Sequence, residues 1–125
     1  LQDYKQYGAL ALAYMGDSVY EIEIRKHLME KGNMPVNKLH KLAKQYVSAP
    51  AQSAIMDVLE PMLTPDEIAV YKRGRNAKSY TTPKHATLSD YKRATGMETL
   101  FGYLYLIENK DRINEIMKII FEMNI

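Results

Sequence analysis

Of the 15 aspartates and glutamates in this chain, Asp17 and Glu98 stand where a carboxylate is expensive. Each interrupts a stretch of apolar residues at helical spacing. Each also has a glycine close by, Gly16 directly before Asp17 and Gly102 one turn after Glu98. A buried carboxylate is costly unless hydrogen bonds, a counter-charge or a metal ion offsets its lost hydration. Two such acids on two core helices point to one shared site. Carboxylates brought together in a dry pocket repel, so one keeps a proton or a cation bridges them. The chain has no cysteine, and His27, His40 and His85 show no ligand spacing. The donors would then be oxygens, which favours a hard ion such as Mg²⁺ or Mn²⁺. The plainer alternative is that the acids brace the core against a buried cation, tyrosine or backbone donor. The residues alone leave both readings open.

The elements that must position these acids are helices. In residues 10–28, LALAYMGDSVYEIEIRKHL, the residues Leu10, Ala13, Tyr14, Tyr20, Ile24 and Leu28 fall on the side of Asp17. Leu12, Met15, Val19 and Ile22 form a second row opposite. A helix apolar on two sides is predicted to be central, carrying Asp17 into low dielectric. It should run from Tyr4 to about Glu30 and stop at Lys31-Gly32-Asn33. In residues 95–107, TGMETLFGYLYLI, Met97, Leu100, Leu104 and Ile107 make one apolar row, and Glu98 shares the other side with Phe101, Gly102 and Tyr105. Further helices are predicted over 35–48, 51–59, from Pro65 to Gly74 behind a Thr64 N-cap, from Ser89 onward, and over 111–123. No stretch shows sustained strand alternation, so the prediction is an all-α domain spanning residues 1–125.

Composition agrees: 46% hydrophobic and 26% charged residues describe an ordinary globular chain, and no apolar run approaches a membrane span. The absence of cysteine and of a signal-type N-terminus leads to the expectation of a cytoplasmic protein. The net charge of +2 conceals an uneven distribution. Lys72, Arg73, Arg75, Lys78, Lys84, Lys92 and Arg93 stand against Asp90 alone, a local balance of +6 that leaves −4 for the remainder. Tyrosines and the donors Asn76, Ser79, Thr81 and Thr82 are interleaved with these cations. A phosphate backbone takes charge partners and small polar donors of this kind. Lys38, Lys41 and Lys44 recur every third residue and would extend the surface, and His85 stands in the same basic loop. The plainer reading is a solvated loop that confers solubility.

These motifs carry a family resemblance. ALAYMGDSVYE resembles the signature of ribonuclease III catalytic domains, and TGMETLFGYLYL resembles that family's second acidic motif. KLHKLAKQYVSAPAQSAI is similar to the helix between them. Together with RGRNAKS, and with no room in 125 residues for a double-stranded-RNA-binding domain, the set is most similar to the short Mini-ribonuclease III branch. The resemblance implies an all-helical endonuclease domain working as a symmetric homodimer. Asp17 and Glu98 would hold Mg²⁺ (Mn²⁺ in its place), which would orient water for in-line attack on a double-stranded RNA, leaving 5′-phosphate and 3′-hydroxyl ends. It also implies maturation of large-subunit (23S) ribosomal RNA precursor ends, with a ribosomal protein as a possible cofactor. The RNA-binding residues expected are Arg73, Arg75, Asn76, Lys78, Ser79, Lys84, His85, Lys38, Lys41 and Lys44. Two family acids are missing: Ala13 stands four residues before Asp17 and Thr95 three before Glu98. A catalytically idle RNA-binding or scaffolding module on the same fold is the alternative this leaves.

Overall fold

A computed structural model describes residues 3–78, 84 and 86–123. It is helical throughout, with no strand among the described residues. The elements are α1 (Ala9–Glu30), α2 (Val36–Val47), α3 (Ala49–Leu59), α4 (Pro65–Arg75), α5 (Leu88–Leu106) and α6 (Lys110–Glu122), with single 3₁₀ turns at Tyr4–Gln6 and Glu60–Met62. The predicted all-α class holds. Helix α5 is the hub, packing most extensively on α1, then on α4 and α3. Its buried residues Met97, Leu100, Phe101 and Leu104 meet Leu12, Tyr20 and Ile24 of α1, Ile55, Met56 and Leu59 of α3, Tyr71 of α4 and Ile116 of α6 in one core.

Local chemistry explains most boundaries. Thr64 and Glu67 form a reciprocal capping box at the start of α4, with Pro65 in the first turn, as the sequence signals. Ser48 both ends α2 and caps α3, its hydroxyl accepting from the Ala51 N–H. Helix α3 therefore begins at Ala49, two residues earlier than predicted, because proline is tolerated in a first turn. The first helix is also shorter than predicted. Chain entry is a 3₁₀ turn, and α1 starts only after Gly8. Arg73 holds that turn to α4 by donating to the backbone carbonyls of Lys5 (2.9 Å) and Tyr7 (2.6 Å).

Two side-chain arrangements secure the periphery. Arg112 of α6 makes a bidentate pair with Glu67, Nε to Oε2 at 2.8 Å and Nη2 to Oε1 at 2.9 Å, and also donates to the Met62 carbonyl. Burial pushes the Glu67 carboxyl up, but the bonds from Arg112 and Thr64 outweigh it and hold Glu67 below the usual glutamate range. His27 stacks face to face on Phe121 with ring centroids 3.6 Å apart, so it packs rather than ligates.

Candidate active site

The crossing of α1 and α5 creates the site. A methyl group added at Gly16 would lie 1.6 Å from the Glu98 backbone carbonyl oxygen, and one at Gly102 would lie 1.9 Å from that of Leu12. Only residues without a Cβ permit this approach, so each glycine seats itself on the opposite helix's backbone. Gly16 and Gly102 thus bring the two acid-bearing helices into close approach.

Burial corrects one expectation. The buried row of α1 is Leu12, Gly16, Tyr20, Ile24 and Leu28, flanked by Ala13 and Val19. It is centred on Gly16, not on Asp17. One residue along a helix is a rotation of about 100°, which brings Asp17 out to the exposed rim instead of the core. Leu10 and Tyr14, predicted to lie inward with Asp17, are exposed too, Tyr14 at 83%. Ile22 of the opposite row is also exposed.

Glu98 is the acid in the drier position. Burial raises its carboxyl most, and the charge of Asp17, a hydrogen bond shared with Asp17 and the charge of Glu21 raise it further, to about 8. A hydrogen bond from the Gln52 side chain pulls in the other direction. The structure therefore brings Asp17 and Glu98 together as an interacting pair, one at the rim and one sunk behind it. Glu21 does two things at once, pairing with Arg25 at 2.9 Å while its charge reaches Glu98.

No group of three or more histidines, cysteines or acids that could hold a metal is present among the described residues. The places where two further family acids would stand hold a buried Ala13 and Thr95, whose hydroxyl donates to the Tyr91 carbonyl at 2.9 Å. The site thus offers a cation two carboxylates, one of which keeps a proton it would exchange. Beside them lies the carbonyl oxygen of Gln52, buried and without a hydrogen-bond partner. Oxygen donors in small number fit Mg²⁺, which keeps much of its water shell.

The cationic residues are distributed over two regions. Lys38, Lys41 and Lys44 are exposed on α2, and Lys78 and Lys84 are exposed in the segment joining α4 to α5. Arg75 lies over the Tyr71 ring, 5.7 Å from its centroid, and donates to Asn76 Oδ1 at 3.2 Å. A cleft of about 450 Å³ opens there, lined by Arg75, Asn76, Leu88, Ser89, Lys92 and Arg93. Arg93 also donates to Ser53 at 3.1 Å and pairs with Asp57. Arg73, nominated from the sequence for RNA, has its guanidinium engaged by the carbonyls of Lys5 and Tyr7. Ser79 and His85 lie outside the described residues. Sequence reasoning passed over Gln52, an amide on α3 next to Ser53 with no spacing to mark it, and over Ser89, Lys92 and Arg93 as a cleft wall.

Comparison with known proteins agrees with this geometry. Residues 10–109 match the family model described as the ribonuclease III domain. The Mini-ribonuclease 3 of Enterococcus faecalis is 49% identical over 119 residues, covering 94% of this chain and 90% of that protein. That of Clostridium tetani is 49% identical over 123 residues, covering 98% and 82% respectively. A Fusobacterium nucleatum protein of known crystal structure superposes with a TM-score of 0.86 at 32% identity, over 98% of both chains. A helical domain with two acids meeting at a glycine-lined crossing, matched over most of its length, belongs to the ribonuclease III family.

Proposed function

We propose that this chain is a divalent-metal-dependent endonuclease that cuts double-stranded RNA, with Asp17 and Glu98 as its catalytic carboxylates. The pairing of these two acids at the α1–α5 crossing carries the reading. Asp17, exposed at the rim, is where a phosphate can reach the pair. Glu98, set deeper and fixed by its neighbours, offers a second oxygen from a position that needs little reorganisation. A bound Mg²⁺ would supply Lewis acidity and lower the pKa of an attacking water. Cleavage of that kind leaves 5′-phosphate and 3′-hydroxyl ends.

Binding falls to the cations. Duplex RNA is recognised through shape, phosphates and 2′-hydroxyls, which suits exposed Lys38, Lys41, Lys44, Lys78 and Lys84 with Arg75 and Asn76. Neutralising Arg75 and Lys78 together, as R75Q/K78Q, should weaken duplex affinity and flatten the logarithmic salt dependence by roughly one to two units. Filter binding across a series of KCl concentrations measures it. An unchanged slope would remove this segment from the RNA surface.

A symmetric dimer is part of the same proposal. Leu10, Tyr14 and Ile22 are exposed at intervals of four and eight residues along α1, and Tyr105 of α5 is exposed beside Ile22. A soluble chain covers such a stripe readily with a second copy. Two sites across one duplex would cut both strands and give staggered ends. The proposed substrate in the cell is the large-subunit (23S) ribosomal RNA precursor, for which the likeness of sequence motifs is the support.

The test is direct: an end-labelled RNA duplex is incubated with the protein in Mg²⁺ and in EDTA. Cleavage with staggered 5′-phosphate ends, only with the metal, is expected. Duplex binding without cutting in either condition would favour the idle binding module instead.

A further inference from the structure

Gln52 makes no surface contact that could explain it: its residue is 2% exposed, on a helix packed against α5. A carboxamide has two N–H donors and one carbonyl acceptor to satisfy. One N–H goes to the backbone carbonyl of Val47, Nε2 to O at 3.3 Å, which ties α3 to the end of α2. The side chain also faces the Glu98 carboxyl closely enough to favour its charged form. The bond to Val47 sets the orientation of the amide. Reversing it would turn the carbonyl oxygen against Val47 O. What remains is Oε1, buried and with no partner among the described residues. A buried acceptor left alone is costly, and a methionine or leucine would fill the same volume without that cost. The amide therefore has to be accounted for by something it meets during function.

We propose that Gln52 is a positioning residue for the metal site, holding the Glu98 carboxylate toward Asp17 with its amide and accepting a hydrogen bond through Oε1 from a water in the cation's hydration shell. This rests on the reading that Asp17 and Glu98 hold a divalent cation. It adds that the two-carboxylate site is completed by an outer contact from a third helix. With Ala13 and Thr95 offering no carboxylate, the cation keeps more water than a crowded acidic cluster would leave it. Those waters need acceptors, and Oε1 is one already in place. Outer contacts of this type commonly change metal affinity by about 10–100-fold when lost.

The experiment uses the whole chain and Mn²⁺ as the probe, without RNA. Mn²⁺ affinity is measured by electron paramagnetic resonance for the wild-type protein and for Gln52→Met, which keeps length and volume but removes the amide. The expected result is a wild-type melting temperature or a slightly higher one, with Mn²⁺ affinity reduced about tenfold or more. Undiminished Mn²⁺ affinity in Gln52→Met would overturn the inference while leaving the two carboxylates as ligands. No Mn²⁺ binding by the wild-type protein would overturn the metal reading and this inference with it. Should Gln52→Met fail to fold, the side-chain amide resonances of Gln52 in the wild-type protein decide. They shift on addition of Mg²⁺ if the proposal holds, and stay in place if it does not.

Discussion

Glu98→Gln should make the protein more stable and catalytically dead. The sign follows from the carboxyl's displacement to about 8 from an ordinary 4.5. Below pH 4.5 both folded and unfolded chains carry the proton, and the acid costs folding nothing. As pH rises, the unfolded chain releases its proton first. The folded protein must keep it or bury a charge beside Asp17, so stability is lost progressively up to about pH 8. Glutamine has the same shape and no proton to lose. In EDTA, the variant should exceed wild type by on the order of 2–3 kcal/mol at pH 7, with the gap closing by pH 4. Thermal melts at several pH values would show it, as a difference of several degrees at neutrality. Cleavage should fall by on the order of 10³-fold or more. Asp17→Asn should be equally inactive with little change in folding or duplex binding, because the residue it replaces is exposed. A variant at either position that cuts normally would remove that acid from the chemistry.

Gly16→Ala is the second large effect, and it falls on the scaffold. The added methyl group would meet the Glu98 backbone carbonyl oxygen at 1.6 Å, and neither partner is a flexible side chain. Helices α1 and α5 must separate along their most extensive contact. The cost should be roughly 4 kcal/mol or more, within the range reserved for severe core disruption. Urea titration followed by circular dichroism measures it. Gly8→Ala is the control: Gly8 caps the same helix, nothing lies within 4 Å of the added atom, and its φ is −59°. Its effect should stay below about 1 kcal/mol. Comparable losses at both positions would show that the crossing is not the source of stability.

Much of this was legible in the sequence because the determining interactions are local. Thr64-Pro65-Asp66-Glu67 announces a helix start through its own hydrogen bonds, and Met97, Leu100 and Leu104 declare a buried face by spacing alone. The two glycines beside two acids were sufficient to expect that the acids converge. The burial of each acid was not legible, because it depends on which row of α1 meets α5. The apolar residues lie on both sides of that helix, so the periodicity does not distinguish a centre at Asp17 from one at Gly16. The role of Arg73 was hidden for a related reason. Its partners, the carbonyls of Lys5 and Tyr7, are backbone atoms distant in sequence, and such contacts leave no mark on residue types. Gln52 escaped notice likewise, since a single amide on a short helix has no pattern to betray it. The pairing of Glu67 with Arg112 across two helices was equally invisible, although each residue was plain.

The contact at Gly16 is with main chain, and that has a consequence for inheritance. No substitution on α5 could make room for a larger residue, since every amino acid brings the same carbonyl. Position 17 is different: an aspartate lost there leaves an intact framework, recoverable by a single codon change. Descendants of this chain that abandon catalysis should therefore shed the acid first and retain the glycine long afterwards, a fossil of the crossing after the chemistry has gone.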